Sequence, residues 1–300
     1  MKVSFIIVFS TTQRIQLTVK DETYPNDSEL DRLIIKDTKE LLTQIQSIPI
    51  EKEILLVDNT GDFPSDFYLR DLRVIEGIQS LFYKNKSTYF KWFKKIPILS
   101  EKTNLNDFHA NHTAFTSLAY QQGLEQAQGE YVIMQHNDTE YLFDYFAADR
   151  IIVDTINYLE QNNLSYLTID KKPPKQSSPE GIDYFADCYW FLCKRDFYDK
   201  NKIYIDWDLG DTNYLATVTC VEKGLSYEHL PGFYEGKIIK DSNNTAEWKS
   251  NLLEKYPELL PLSVNIHTFK DIPFLLHVKG GTAGGTLTKK YEYDPSYRRR

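Results

Sequence analysis

The chain has 300 residues, of which 41% are hydrophobic and 26% charged, so it could fold as one large α/β domain or two small ones. Its net charge of −8 argues against general nucleic-acid binding, which needs a basic surface. No apolar run approaches the roughly 20 residues of a membrane span, so we expect a cytoplasmic protein without a transmembrane segment.

Two apolar runs near the N-terminus predict strands that are buried on both faces. They are Val3 to Phe9 (VSFIIVF) and Glu53 to Val57 (EILLV). Between them, Asp27 or Ser28 can cap a helix that runs to about Ile45, because apolar residues recur there at helical spacing. This order of strand, helix and strand is typical of a parallel sheet.

A further helix and strand follow in the same order. Asp107 or Asn111 can cap the helix, and Gly129 suits a left-handed position after it, before the strand Tyr131 to Met134. The remaining patterns predict a helix over about Tyr145 to Leu159, a strand Ser165 to Ile169, a loop Lys171 to Gly181, a strand within DCYWFLCKRDFY, a helix Asp211 to Lys223 closed by Gly224, and a short strand Phe274 to Val278.

Polar residues follow three of the predicted strands. They are Ser10-Thr11-Thr12, Asp58-Asn59-Thr60 and His136-Asn137-Asp138. Ligands bind beyond the carboxyl ends of parallel strands, so these exits predict one crevice. Neither GxGxxG nor GxxxxGK[ST] is present, and a divalent cation held by carboxylate and imidazole groups is the other way to bind a diphosphate there.

These segments resemble the nucleotide-sugar glycosyltransferases of the GT-A fold, in particular glycosyltransferase family 2. The resemblance covers most of Lys2 to Leu142, through VSFIIVF, EILLVDNT and NHTAFTSLAYQQGLEQAQGEYVIMQHND, and is weaker in CYWFLCKRDFY, DLGDTNYLATVTCVEKG and FLLHVKGGT. It implies an α/β, Rossmann-like fold in which helices flank a mostly parallel central sheet, with a smaller C-terminal region on the acceptor side.

The resemblance also implies a division of the chain. Residues 1–142 would form the nucleotide-sugar-binding half of a single GT-A domain, with a basic aromatic insert at 80–99. Residues 143–280 would form the acceptor-side half that carries the catalytic base, and 281–300 a flexible tail.

A metal site is implied at the end of the third strand. The family has an Asp-x-Asp motif there, which holds the Mg²⁺ or Mn²⁺ that neutralises the donor diphosphate. Asp138 falls on the second Asp, whereas His136 replaces the first and favours Mn²⁺ over Mg²⁺; whether a metal is required stays open. His277 matches a C-terminal His that supplies a further metal or phosphate ligand, with Lys279 beside it for the diphosphate. The nucleotide-binding positions are Ser10, Thr11, Asp58, Asn111, His136 and Lys279.

The family's catalytic base is an Asp that opens a helix, commonly as Glu-Asp. Asp211 stands at this position, with Gly210 in place of the Glu. Asp206 and Asp208 are rivals for the role, and an Asp at a helix start is also a favoured N-cap for stability alone.

Two other features carry weaker hypotheses. His109 and His112 in HANH could approach a zinc ion from one helix face, but the segment lacks the HExxH general base. The insert Ser80 to Leu99 interleaves five lysines with aromatic residues. It is either a solvated face or a peripheral contact with an anionic membrane, which would put the protein at the inner face of a membrane.

The leading hypothesis is an inverting glycosyltransferase that moves a sugar from a nucleoside-diphosphate donor to a glycan or lipid-linked acceptor. The alternative is a catalytically inactive relative that binds a nucleotide or glycan. A nucleotidyltransferase is the third hypothesis. The absence of a Gly-rich basic loop after the first strand argues against it.

Overall fold

The structure is a computed structural model, and it describes residues 1–9, 28–58, 78–82, 112–143, 150–169, 180–182, 184–186, 188–203, 205, 213–234, 237–238 and 264–278. The strands in these ranges are β1 (Lys2–Phe9), β2 (Glu51–Asp58), β3 (Ile78–Phe82), β4 (Tyr131–His136), β5 (Thr139–Tyr141), β6 (Tyr166–Thr168), β7 (Trp190–Lys194), β8 (Glu228–His229), β9 (Gly232–Tyr234), β10 (Lys237–Ile238), β11 (Val264–Phe269) and β12 (Ile272–Val278). The helices are α1 (Ser28–Ser47), α2 (His112–Gln126), α3 (Ile151–Gln161), α4 (Asp196–Asn201) and α5 (Tyr214–Lys223).

The central sheet has seven strands in the order β3-β2-β1-β4-β7-β6-β8. The pairs β3–β2, β2–β1, β1–β4 and β6–β8 are parallel, whereas β7 runs antiparallel to both β4 and β6. The predicted α/β class with a mostly parallel central sheet flanked by helices is confirmed. Residues 80–82, at the start of the predicted basic aromatic insert, form part of β3 at the edge of this sheet.

Both faces of the central sheet are buried, as the unbroken apolar runs predict. Alternate residues of β1 point to opposite faces. Phe5 and Ile7 pack in one cluster with apolar residues of α1 and α3, and Ile6 and Val8 pack in the other with residues of α2, α4 and α5. Helices therefore cover the sheet on both sides, and its strand ends are the places left for a ligand.

Most predicted helices are present, with shifted starts. The described part of the third begins at Ile151, inside its predicted range, and residues 144–149 before it lie outside the described residues. The last helix begins at Tyr214 rather than Asp211, with Asn213 as its N-cap. Gly224 ends it with φ 64°, the left-handed conformation expected of a C-terminal glycine.

The turn before β4 corrects one prediction, because Gly129 is not in the left-handed region. A Cβ at Gly129 would lie 2.6 Å from both the backbone N and Oγ of Ser4, so the glycine is required by close packing of this turn on β1. Its N–H donates to Ser4 Oγ (2.7 Å) and Glu53 Oε1 (3.1 Å). Glu53 therefore ties together the starts of β1, β2 and β4.

Burial would by itself raise the pKa of Glu53. The hydrogen bonds that it accepts from Ser4, Gln128 and Gly129, together with the charge of Lys2 at 3.5 Å, outweigh burial and hold that pKa below its ordinary value. The carboxylate is thus favoured in the folded state.

A second sheet, β10-β9-β11-β12-β5, is antiparallel throughout. The sequence patterns predicted β12 alone among its strands. Its β11–β12 hairpin turns through Lys270 and Asp271, with φ 47° and 65°, as a two-residue type I′ turn requires. None of the helices in the described ranges is long and apolar enough to cross a membrane.

Candidate metal and diphosphate site

The ends of β1, β2 and β4 lie side by side at one edge of the central sheet. Val8 on β1 pairs with His136 on β4, and Phe9 pairs with Asp58 at the end of β2. The backbone register therefore brings the ends of β1, β2 and β4 together, as the parallel arrangement predicts.

The second sheet delivers His277 to the same place. Thr139 follows Asp138 directly, begins β5 and pairs with His277 on β12. This pairing, between segments far apart in the chain, sets His277 beside Asp138. The link His136-Asn137-Asp138-Thr139 thus passes from the central sheet to the second sheet, and the site lies at the junction.

His136, Asp138 and His277 form a compact cluster of possible metal ligands. Asp138 Oδ1 lies 3.8 Å from His136 Nδ1 and 3.6 Å from His277 Nε2, and the three ligand atoms lie within 4.8 Å of one another. Two atoms that bind one ion at about 2.1 Å each are at most about 4.2 Å apart. Both histidine–carboxylate distances satisfy this limit, and the two histidine nitrogens, which lie within 4.8 Å of each other, would have to approach by at most about 0.6 Å to share a divalent cation.

The cluster is largely enclosed. The side chains of His277 and Asp138 are 2% and 7% exposed, whereas His136 is 24% exposed and is therefore on the solvent side. Two imidazoles with one carboxylate form a donor set that suits Mn²⁺ and other first-row transition metals better than Mg²⁺, which prefers oxygen ligands. Weak solvation here would strengthen attraction between a bound cation and an anionic ligand.

Two tyrosines flank the histidine rings. Tyr189 lies directly before β7, whose antiparallel pairing with β4 brings it to the strand end, and its carbonyl accepts a hydrogen bond from His136 N (3.2 Å). Its ring centroid is 4.1 Å from that of His277 and 4.5 Å from that of His136. Tyr120 on α2 stacks nearly parallel to His136, with centroids 6.0 Å apart.

A buried chain of hydrogen bonds supports the link between the sheets. Trp190 Nε1 donates to Tyr141 Oη (3.2 Å), Tyr141 donates to Gln135 Oε1 (2.7 Å), and Gln135 Nε2 donates to Thr139 Oγ1 (2.7 Å). Thr139 in turn donates to the carbonyl of His136 (2.6 Å). Burial raises the pKa of Tyr141, opposed by its hydrogen bonds with Trp190 and Gln135, so the hydroxyl keeps its proton and continues to donate.

Helix α1 holds the same link from the other side. Asn137 Nδ2 donates to Thr38 Oγ1 (3.0 Å). Gln44 pairs with the backbone of Tyr141 through both amide atoms, donating to its carbonyl (2.9 Å) and accepting from its N–H (2.8 Å). The residues between the two sheets are therefore fixed by side chains from both neighbouring layers, which is the support a preorganised site needs.

The structure brings together the three predicted metal ligands and the backbone of Asp58. The other predicted site residues lie outside the described residues. They are Ser10, Thr11, Asn111, Asp211 and Lys279. The rival bases Asp206 and Asp208, His109, and residues 83–99 of the insert also lie outside the described residues.

Sequence patterns missed Tyr189, Tyr120 and the Gln135–Thr139–Tyr141 chain. Tyr189 falls in CYWFLC, which reads as an ordinary apolar strand. The polar residues Gln135 and Thr139 on either side of the His136-Asn137-Asp138 exit were the available signal, because buried polar side chains need partners.

Comparisons with known proteins return structural similarities alone, since no family model and no curated protein matches the sequence. S. aureus TarS (residues 1–349) is 14% identical with a TM-score of 0.39, over 70% of this chain and 51% of that chain. Mouse xyloside xylosyltransferase 1 is 10% identical with a TM-score of 0.45, over 87% and 92%. CMP:2-keto-3-deoxy-manno-octonic acid synthetase complexed with CTP is 9% identical with a TM-score of 0.39, over 86% and 100%. The chain thus spans about half the length of the TarS structure.

Proposed function

We propose that the chain is an inverting glycosyltransferase that moves a sugar from a nucleoside-diphosphate donor to a glycan or lipid-linked acceptor. The observation that supports it is the His136–Asp138–His277 cluster at the carboxyl edge of a mostly parallel sheet. A cation site at that edge suits a ligand that carries a diphosphate.

In this proposal His136, Asp138 and His277 hold Mn²⁺ or Mg²⁺. The ion would supply positive charge against the donor diphosphate and so assist departure of the nucleotide. Two of the three ligand side chains are almost fully buried, and the fixed link between the sheets keeps the ligand atoms in place. The nucleotide would be bound by residues along the strand exits and near β12: Ser10, Thr11, Asp58, Asn111, His136 and Lys279.

Asp211 is the proposed base, which takes the proton from the acceptor hydroxyl as that oxygen attacks the anomeric carbon. Asn213, two residues later, is anchored on the segment that leads into β7. It forms a bridge with Ala186, and its amide donates to Cys188 Sγ (3.0 Å), one residue before Tyr189.

The proposed division of labour follows the order of the chain and not the two sheets, because β6, β7 and β8 of the central sheet come after residue 142. Residues 1–142 would bind the donor, residues 143–280 would face the acceptor, and 281–300 would form a tail. Peripheral membrane contact through the insert remains part of the proposal for a lipid-linked acceptor, and binding to anionic liposomes at low salt tests it.

The direct test is calorimetric titration of the protein with UDP, GDP, CDP and ADP, with and without Mn²⁺. We expect one of the nucleotides to bind, with affinity that rises at least about tenfold when Mn²⁺ is present. Asp138→Asn should abolish this increase while the protein stays folded. Nucleotide binding that is absent under both conditions would contradict the proposal.

A non-catalytic nucleotide- or glycan-binding protein is the second candidate, favoured by His136 in place of an Asp and Gly210 in place of a Glu. Transfer or hydrolysis of a donor sugar by the purified protein would exclude it. If turnover is found, Asp211→Asn should abolish transfer and leave nucleotide binding intact, and Asp206→Asn and Asp208→Asn are the matched controls.

A further inference from the structure

Among the residues that the structure describes, Tyr189 has the aromatic side chain most closely engaged with the cluster. Its ring lies at 37° to that of His277, with centroids 4.1 Å apart, and meets His136 edge-on at 80° and 4.5 Å. The two imidazoles themselves stand at 89° to each other, 6.4 Å apart. One tyrosine thus contacts two rings that have different orientations.

Ring orientation decides whether an imidazole can bind an ion. The nitrogen lone pair lies in the ring plane, and rotation about the last side-chain torsion, which is broad for histidine, swings it away from a shared point. Asp138 Oδ1 lies near one nitrogen of each ring, so both rings already face the same oxygen. Contacts with neighbouring groups must therefore fix the last side-chain torsion of both His136 and His277.

We propose that Tyr189 is a positioning residue that fixes both imidazoles so that their nitrogens converge beside Asp138. This inference rests on the metal site of the proposed function. The backbone of Tyr189 is fastened to that of His136 by the 3.2 Å hydrogen bond, so the ring is carried by the same strand pair as the ligand that it orients. Its contact with His277 links the ligand of the second sheet to the ligand of the central sheet.

The test compares three variants with the wild type in a titration with Mn²⁺. The electron paramagnetic resonance signal of unbound Mn²⁺ reports the affinity of each protein for the ion. Tyr189→Leu removes the planar ring but keeps apolar volume, whereas Tyr189→Phe keeps the ring. Tyr158→Leu is the matched control, because Tyr158 is also partly buried and packs edge-on against Phe269 at 5.4 Å, with no part in the cluster.

Removing a residue that orients a metal ligand typically weakens metal affinity by about 10–100-fold, and we expect this for Tyr189→Leu. Tyr189→Phe and Tyr158→Leu should bind Mn²⁺ nearly as the wild type does. At saturating Mn²⁺, electron spin-echo measurements should detect two coordinated imidazole nitrogens in the wild type and fewer in Tyr189→Leu. This nitrogen signal is a readout that loss of stability alone would not change.

Wild-type affinity and an unaltered nitrogen signal in Tyr189→Leu would overturn the positioning role while leaving the metal site intact. Equal weakening in Tyr158→Leu would also overturn it, since general destabilisation would then account for the loss. A wild-type protein that binds no Mn²⁺ would instead refute the metal site, and the positioning role with it.

Discussion

Tyr141→Phe should cost more stability than the loss of one hydroxyl group suggests. Tyr141 is 1% exposed, and its hydroxyl both donates to Gln135 Oε1 and accepts from Trp190 Nε1, two side chains that are fully buried. Phenylalanine fills the same space but leaves both partners unsatisfied. Each buried unsatisfied group costs about 1–3 kcal/mol, so the free energy of unfolding should fall by about 2–6 kcal/mol.

Urea unfolding at neutral pH measures this loss, with Tyr131→Phe as the matched control. The Tyr131 hydroxyl donates one hydrogen bond (2.8 Å), to Glu160, which is 38% exposed and keeps its ion pair with Lys194. Water can replace that hydroxyl, so the control should lose no more than about 1.5 kcal/mol. The same Tyr141→Phe variant should also bind Mn²⁺ more weakly, by about tenfold, because Gln135 loses the Tyr141 hydroxyl as an anchor and holds Thr139 less firmly. Equal losses of stability in the two variants would refute the reasoning.

Three further predictions concern the strand starts and the cluster. Gly129→Ala should lower the free energy of unfolding by about 3–5 kcal/mol, from a clash with Ser4 and two lost hydrogen bonds. Gly181→Ala is the control, because a Cβ there meets no neighbouring atom and only the φ of 88° opposes alanine. In urea unfolding, its free energy of unfolding should fall by about 1–2 kcal/mol. Because the pKa of Glu53 is lowered on folding, its stabilisation is present above the ordinary glutamate pKa of about 4.3 and is lost as pH falls through the folded value. Urea unfolding from pH 7 downward should therefore show the deficit of Glu53→Gln shrinking on acidification. His136→Asp should shift metal preference from Mn²⁺ toward Mg²⁺ by about tenfold, measured by calorimetry.

Each of these has a contrary outcome. A Gly129→Ala variant no less stable than Gly181→Ala would mean that the turn can move away from β1. A Glu53→Gln deficit that stays constant or grows on acidification would contradict the lowered pKa. An unchanged ratio of Mn²⁺ to Mg²⁺ affinity in His136→Asp would remove the imidazole from the metal's coordination.

The central sheet could be predicted because its strands are buried on both faces. β1, β2 and β4 are unbroken apolar runs with a helix between them, and each ends in polar residues where it leaves the core. Those exits also identified His136 and Asp138. Gly224 was predictable because a helix end needs one residue with positive φ.

The second sheet was mostly missed for a physical reason. Its strands β5, β9 and β10 have only two or three residues each, and the turn between β11 and β12 uses Lys270-Asp271 in place of the usual Asn-Gly or Asp-Gly signal. The contacts of Tyr189 depend on the antiparallel register of β7 against β4, which no local pattern in CYWFLC encodes. The sequence predicted a left-handed conformation as the reason for glycine at position 129. The actual reason, close approach to Ser4, is a tertiary contact that the local sequence does not reveal.

The most direct test of the metal site is X-ray diffraction from crystals grown with Mn²⁺ and a nucleoside diphosphate, recorded at the manganese absorption edge. We predict one anomalous peak among His136 Nδ1, Asp138 and His277 Nε2, and none there in Asp138→Asn. A wild-type crystal with no peak at these three side chains, or with its manganese bound elsewhere, would contradict the account.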